Sequence, residues 1–180
     1  MSGPGLPVTA SLPAGAVVIG IDAALTKTGY AVLRAAGRGE RPKLVEGGLI
    51  RTDATETLAD RVAAIGTAVL ELVEQYDPAA VAIEGLFAHP KHPGPAIQMA
   101  HARGAILYVL AAAGRPPREF APRAMKQLLT GSGRATKAQI QFAIQAELGL
   151  DKPLEPDDVA DAAALALCGI YHPRPNTPVS

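Results

Sequence analysis

The chain has 180 residues and a net charge of zero at pH 7, and its length predicts one domain with a substantial core. Its single cysteine, Cys168, lies in an apolar helical stretch. A disulfide framework is therefore excluded, and a small core residue in a reducing compartment is favoured. No signal peptide or membrane span is visible, which predicts a cytoplasmic protein.

The charge is unevenly distributed along the chain. Residues 1–84 carry 7 Lys/Arg and 10 Asp/Glu, residues 85–146 carry 8 and 1, and residues 147–180 carry 2 and 6. A basic middle between acidic flanks is typical of a polyanion-binding surface beside a cation-binding cluster. A solvated surface with accidental segregation of charge is the alternative.

The hydrophobic pattern predicts alternating strands and helices between a flexible leader (1–15) and a flexible tail (173–180). The predicted elements are strands at 17–21, 29–34 and 43–51, a helix at 56–76, a strand at 79–84, a helix at 96–113, a strand near 118–121, and helices at 122–130, 136–148 and 156–171. The short links between the first three strands indicate an antiparallel meander, and the prolines of residues 86–95 predict a loop.

Two predicted strands end on acids, and a third pair of acids shares one helix face. Asp22 follows a buried strand, Glu84 follows another, and Asp158 and Asp161 are spaced i and i+3. Brought together without a cation, these carboxylates would repel one another. Mg²⁺ prefers oxygen ligands, and two ions about 4 Å apart can assist in-line phosphoryl displacement. The acids therefore favour metal-assisted phosphodiester hydrolysis.

Two weaker motifs accompany the acids. His89 and His92 have a spacing suited to a metal, but on a proline-rich loop plain surface residues are the better interpretation. The segment 131–134, Gly-Ser-Gly-Arg, is too short for a P-loop and follows no strand. With Thr136 as a helix N-cap and Lys137 in the first turn, it suits a phosphate approached through backbone amides.

Four stretches of the chain resemble the bacterial Holliday-junction resolvases of the RuvC family, within the ribonuclease H-like superfamily. They are Ile19-Gly20-Ile21-Asp22 with Thr28-Gly29-Tyr30, residues 82–87 (Ala-Ile-Glu-Gly-Leu-Phe), residues 125–137 from Met-Lys-Gln to Ala-Thr-Lys, and residues 158–162 (Asp-Val-Ala-Asp-Ala). The resemblance covers about residues 17–172. It implies an α/β fold with a five-stranded mixed sheet, three antiparallel strands then two parallel ones, and helices on both faces, in one nuclease domain spanning 16–172.

The resemblance also implies roles for individual residues. The metal-binding catalytic acids would be Asp22, Glu84, Asp158 and Asp161, with Lys137 as a further catalytic residue. Phe87 would insert near the crossover of the junction, and the residues facing DNA would include Lys126, Arg134 and Lys137. The implied cofactor is Mg²⁺, with Mn²⁺ as a substitute and two ions per active site.

The implied activity is paired phosphodiester hydrolysis that resolves four-way DNA junctions in recombination and repair. Because two nicks are needed, a two-fold homodimer is expected, and a branch-migration motor complex is a candidate partner. The apolar second half of the 96–113 helix, with Leu107, Leu110 and Ala111, is the candidate dimer interface.

Two alternatives stay open at the level of sequence. The family usually has Pro-Gly after the first Asp, whereas this chain has Ala23-Ala24, which leaves open a diverged or phage-derived paralogue in place of the housekeeping resolvase. The first alternative function is a structure-specific module that binds branched DNA without cutting it. An actin-like or sugar-kinase-type ATPase fragment shares the Gly-Ile-Asp strand, but such enzymes need two domains and a Gly-rich adenosine segment. The preferred cleavage sequence cannot be read from the chain.

Overall fold

The computed structural model describes residues 12–85 and 93–172. Its strands are β1 (Val17–Asp22), β2 (Lys27–Arg34), β3 (Lys43–Arg51), β4 (Ala80–Glu84) and β5 (Arg118–Phe120). Its helices are α1 (Leu58–Tyr76), α2 (Pro93–Ala112), α3 (Pro122–Thr130), α4 (Lys137–Leu148) and α5 (Asp157–Tyr171). In the described ranges, no helix combines the length and apolarity that crossing a bilayer requires.

The strands form one mixed sheet in the order β3-β2-β1-β4-β5. β1 pairs antiparallel with β2, and β2 with β3, as short links require. β4 runs parallel to both β1 and β5, since helices connect these strands. The predicted mixed sheet, antiparallel for three strands and parallel for the last two, is confirmed.

Helix α2 begins earlier than predicted. Its first residue is Pro93, so residues 93–95 are helical, which corrects the last three residues of the loop predicted at 86–95. Proline is tolerated in a first helical turn because its missing N–H would have no intrahelical partner there. Residues 86–92, with Phe87, His89 and His92, lie outside the described residues.

The last residues of the predicted leader contact the domain. The backbone N–H of Leu12 donates to the carbonyl of Ile170, and that of Gly15 donates to the carbonyl of Ala35. Leu12 also packs against the core. Residues 12–15 are thus hydrogen-bonded to both α5 and the sheet, while the assignment of a leader, a domain and a tail stays a prediction.

Helices cover both faces of the sheet. α3, α4 and α5 pack on one face, which includes Val18, Ala31, Leu33 and Ala82. α1 and α2 pack on the other, which includes Ile19, Ile21, Val32 and Ile83. Cys168 is fully buried on the α5 side, as its apolar surroundings predicted.

Leu110 belongs to the core between α2 and the sheet, which corrects its predicted place in a dimer interface. Its side chain is 0% exposed, and it packs with Ile65, Val69 and Ile106. Leu107 is half-buried and Ala111 is exposed. The two sides of an apolar helix cannot be told apart by periodicity when residues on both are apolar.

Candidate functional site

Asp22 and Glu84 lie at the same edge of the sheet because their strands are parallel neighbours. The register pairs Ile21 with Ile83, and each acid is the next residue. Successive side chains alternate between faces of a strand. Asp22 is two residues after Gly20, and Glu84 is two residues after Ala82. Both carboxylates therefore lie on the face of the sheet that α5 covers.

Helix α5 approaches this face at backbone distance. A Cβ atom on Gly20 would lie 1.9 Å from the carbonyl oxygen of Ala162, and one on Gly29 would lie 2.1 Å from that of Asp158. No side chain fits either space, so glycine is required by contact rather than by backbone angle. Because Gly29 pairs with Asp22 across β1 and β2, this contact fixes the start of α5 beside the first acid.

The acids surround a cavity of about 290 Å³. Its lining residues are Asp22, Glu84, Pro122, Met125, Lys126, Lys137, Ile140, Asp161 and Leu165. Asp158 is not among them, but it is close enough to contribute to the electrostatics of Asp22. The structure thus brings the four predicted acids and two predicted lysines together from β1, β4, α3, α4 and α5.

The site raises the pKa of its carboxyls. Burial is the main cause for Asp22, followed by repulsion from Asp161, Glu84 and Asp158, and together they raise its pKa from 3.8 to about 7 despite the opposing charge of Lys137. Burial also raises the pKa of Glu84, with Asp161 adding repulsion, while Arg103 and Lys126 oppose the rise. These groups carry more negative charge than their surroundings stabilise.

Asp161 is subject to the same balance. Burial raises its pKa, Asp157 and Asp158 add repulsion, and Lys137 opposes them. Among the described residues, none of the hydrogen bonds or ion pairs involves the side chain of Asp22, Glu84 or Asp161. The clustered charge is therefore held by the fold rather than by local partners.

Lys137 stands at the first turn of α4, next to the cavity. The predicted cap is present, since the Thr136 hydroxyl accepts from the N–H of Gln139 and the Gln139 side chain accepts from the N–H of Thr136. The Lys137 ammonium lies 2.7 Å from the Asp157 carboxylate, and both side chains are more than half exposed. This hydrogen bond raises the pKa of Lys137, so the lysine stays charged.

The loop between α3 and α4 is built by Gln127. The Gln127 side chain accepts from the N–H of Gly133 at 2.9 Å and donates to the carbonyl of Gly131 at 2.7 Å. Gly131 has φ 76°, which favours glycine. This loop carries the exposed Arg134 close to α4, so Arg134 lies outside the cavity but on the same side of the domain.

A buried threonine closes the turn after Asp22. The Thr28 hydroxyl is fully buried, donates to the carbonyl of Ala24 at 2.6 Å and accepts from its N–H at 3.2 Å. Ala23 and Leu25 are buried below this turn. The Thr28 hydroxyl therefore bridges the two backbone groups of Ala24 and closes the turn that follows Asp22.

Sequence reasoning missed the role of Arg103, which is 6% exposed in α2. Its guanidinium donates to the carbonyl of Glu84 at 2.6 Å and pairs with the Glu119 carboxylate at 2.7 Å. The available signal was its position between Ala102 and Ile106 in an apolar helix, since a charge at such a position needs partners when buried.

The donor set suits a hard divalent cation. Within residues 12–85 and 93–172, no three His, Cys, Asp or Glu side chains are close enough together to hold a metal ion among them; three of the acids border the cavity instead. Mg²⁺ keeps several waters and is usually held by one or two carboxylates together with substrate phosphates. An open cavity with excess carboxylate charge fits that mode of binding.

Comparison with known proteins gives a consistent result. The family model for "Crossover junction endodeoxyribonuclease RuvC" matches residues 18–169. A protein of that name from Rhodopirellula baltica is 41% identical over 164 residues, 91% of each chain. The structure of Thermus thermophilus RuvC is similar with a TM-score of 0.81 and 33% identity, covering 87% of this chain and 95% of that one. The same protein in complex with a Holliday junction substrate gives 0.82.

Proposed function

Because the chain belongs to the RuvC family of crossover junction endodeoxyribonucleases, we propose that it resolves four-way DNA junctions by metal-dependent hydrolysis of two phosphodiester bonds. The observation that carries this proposal is the cavity where acids from β1, β4 and α5 meet lysines from α3 and α4. An anionic substrate and a cation are both needed to balance such a site.

Asp22, Glu84, Asp158 and Asp161 would hold the metal. When bound, two Mg²⁺ ions, or Mn²⁺ in their place, would activate water and stabilise the charge that develops on the phosphoryl oxygens. The contribution of the protein is to hold the carboxylates in place, and the bound cation would keep them ionised. The raised pKa values of Asp22, Glu84 and Asp161 support this role, since a cation would lower all three.

The lysines would hold the scissile phosphate. Lys126 and Lys137 line the cavity, and Lys137 stays protonated beside Asp157. A lysine ammonium can donate to a phosphate oxygen and stabilise it as charge develops there. Lys137 is therefore proposed to act in catalysis as well as in binding.

DNA would approach across α3 and α4. The span 122–148 carries four Lys/Arg against one Glu, and Arg134 is exposed there. Such a surface supplies phosphate contacts without reading sequence. Phe87, outside the described residues, is proposed to stack at the crossover, and Phe87→Ala should damage junction cleavage more than duplex affinity.

Paired cleavage requires two sites, and we propose a two-fold dimer formed by the outer side of α1 and α2. Leu58, Ile97 and Tyr108 are 43%, 55% and 75% exposed, and Leu58 and Tyr108 line one apolar groove. Tyr108→Glu should give a monomer in sedimentation, whereas Leu110→Glu should unfold the chain. A Tyr108→Glu variant that remains a dimer would exclude this surface.

The function is tested by incubating the protein with a labelled four-way junction and with a linear duplex of the same sequence. Symmetric nicks in the junction with Mg²⁺, and none in excess chelator, are expected. Tight junction binding without cleavage under every metal condition would instead identify a non-catalytic paralogue. Cleavage that persists in chelator would contradict the metal-dependent mechanism.

A further inference from the structure

We propose that Arg103 is a positioning residue for the reaction, fixing the end of β4 so that the Glu84 carboxylate is presented to the metal site. This inference rests on the proposed function of the cavity. Arg103 lies on α2, on the face of the sheet opposite α5. It therefore supports the site from behind.

The contacts of Arg103 converge on the end of β4. One guanidinium nitrogen donates to the carbonyl oxygen of Glu84 at 2.6 Å. The other terminal nitrogen pairs with the Glu119 carboxylate at 2.7 Å. Glu119 is on β5, whose register places it opposite Ile83. One side chain thus ties α2, β4 and β5 together within one residue of the acid.

The chain around Glu84 needs such support because the strand pairing ends there. β5 pairs with β4 over three residues, the last pair being Glu84 with Phe120. Beyond it, the N–H of Gly85 donates to the carbonyl of Phe120. On its other side, β1 pairs with β4 only as far as Ile83. The backbone of Glu84 is thus held on one side by a short strand and by Arg103.

Burial makes the geometry of this contact restrictive. The Arg103 side chain is 8% exposed, and that of its partner Glu119 is 39% exposed. A buried guanidinium keeps a fixed orientation when both of its ends are hydrogen-bonded. A lysine at this position carries the same charge but cannot donate in two fixed directions. Loss of the two guanidinium contacts should move Glu84 without removing the positive charge. Small displacements of a catalytic group lower the reaction rate by large factors.

Arg118 provides a matched control on the same strand. Its guanidinium donates to the carbonyl of Gly169 on α5 at 3.0 Å, and its side chain is half-buried. Arg118→Lys therefore removes a similar guanidinium–carbonyl contact from β5. Unlike Arg103, Arg118 does not contact the residue that carries a site carboxylate.

The experiment compares wild type, Arg103→Lys, Arg118→Lys and Glu119→Gln. Arg103→Lys should cleave the junction about 10- to 100-fold more slowly, with junction affinity within about threefold of wild type. The Mg²⁺-induced rise in Tm should also shrink at a fixed Mg²⁺ concentration. Arg118→Lys should lower the Tm but leave the cleavage rate and the Mg²⁺-induced rise unchanged. Glu119→Gln, which replaces the ion pair at one end of the Arg103 guanidinium by a weaker hydrogen bond to a neutral amide, should fall between the two.

An Arg103→Lys protein that cleaves at the Arg118→Lys rate and shows the full Mg²⁺-induced rise would overturn the proposal. If Arg103→Lys does not fold, Glu119→Gln decides: wild-type cleavage and Tm shift in that variant would overturn it equally. The Tm readout needs no DNA. Failure of the wild-type protein to cut junctions would therefore contradict the proposed function while leaving the role of Arg103 in metal binding open to this measurement.

Discussion

The sheet face under α5 and the face under α1 and α2 are packed with side chains of different size. On β1 and β4, most residues facing α5 are small, with Gly20 and Ala82 paired in register and Val18 as the exception. Those facing α1 and α2 are large, with Ile21 paired to Ile83. The face with small side chains allows the backbone of α5 to contact the strands. The face with large side chains forms an ordinary interdigitated core with α1 and α2.

The difference shows how the fold divides its tasks. Close approach of α5 brings Asp158 and Asp161 to the strand ends that carry Asp22 and Glu84, at the cost of gathering like charges. The α1–α2 face stabilises the domain and carries Arg103 behind Glu84. The site acids thus lie on the face where a helix backbone touches the sheet, and their support lies on the other face, a difference that the following changes can break or sharpen.

The largest effect is expected for Asp161→Asn, on the α5 side. The loss of a metal-binding carboxylate should raise the barrier by about 4 kcal/mol, roughly a 10³-fold slower cleavage. Junction affinity should stay equal or rise slightly, because one negative charge is removed. Gel shifts and single-turnover cleavage measure the two quantities. Asp151→Asn, on the exposed loop before α5, is the control, and a parallel fall in affinity and rate would contradict the assignment.

Asp22→Asn should stabilise the metal-free protein. Because the folded pKa of Asp22 is about 7 against an ordinary 3.8, its contribution to stability is fully present below pH 3.8 and is lost as pH rises through 7. The difference of about three pKa units corresponds to about 4 kcal/mol as an upper bound. In chelator, Asp22→Asn should therefore exceed wild type in unfolding free energy at pH 8 and match it near pH 4.

Mg²⁺ provides the converse measurement for the same variant. It should raise the Tm of wild type at pH 8, because a bound cation relieves the repulsion, and raise that of Asp22→Asn much less. Equal stability of the two proteins in chelator at pH 8 would show that the carboxylates do not destabilise the fold.

The same substitution on each face tests the packing difference directly. Gly20→Ala places a Cβ 1.9 Å from the Ala162 carbonyl oxygen, so α5 must move, and a loss of about 3 kcal/mol or more is expected. Gly66→Ala on α1 places its Cβ 3.3 Å from a methyl group of Val109. That side chain can shift, and alanine favours a helix by about 1 kcal/mol. Urea unfolding should show stability within about 1 kcal/mol of wild type for Gly66→Ala only.

Much of this arrangement could be predicted from the sequence, because it follows from local pattern. A buried apolar run ending on Asp22 or Glu84 fixes where the acid lies on a parallel sheet, and the i, i+3 spacing of Asp158 and Asp161 fixes their common helix face. The helix cap at Thr136 and the antiparallel meander of the first three strands have equally local signals, whereas the two parallel strands were expected from the family resemblance.

What the sequence could not predict depends on contacts between distant segments. Leu110 faces the core rather than a partner because α2 lies over the sheet on that side. The sequence of an apolar helix does not show which of its sides faces the sheet. The sequence pattern assigns Arg103 to the polar first half of a helix, and its contacts with Glu84 and Glu119 appear only when β4 and β5 are placed beside α2. The start of α2 at Pro93 could not be predicted, because proline is common both in loops and in the first turn of a helix.

The smallest expected effects are those of single basic residues, and they test which face meets DNA. α1 and α2 together carry two Lys/Arg against three Asp/Glu, whereas residues 122–148 carry four against one. Each phosphate contact contributes about one to the slope of log affinity against log salt. Lys126→Ala and Lys137→Ala should each lower that slope by about one and weaken junction and duplex binding alike by several-fold.

Lys43→Ala is the matched control for these variants. Lys43 is exposed at the start of β3, at the opposite end of the strand from the Arg51 end that adjoins the site. Its loss should leave the salt slope unchanged, because DNA that lies over α3 and α4 at the acid-bearing edge does not reach it. A slope that falls equally for Lys43→Ala and Lys126→Ala would mean that the protein binds DNA through diffuse charge. The α3–α4 surface would then contribute no more to DNA binding than the rest of the protein, since every exposed cation near the duplex contributes to non-specific binding.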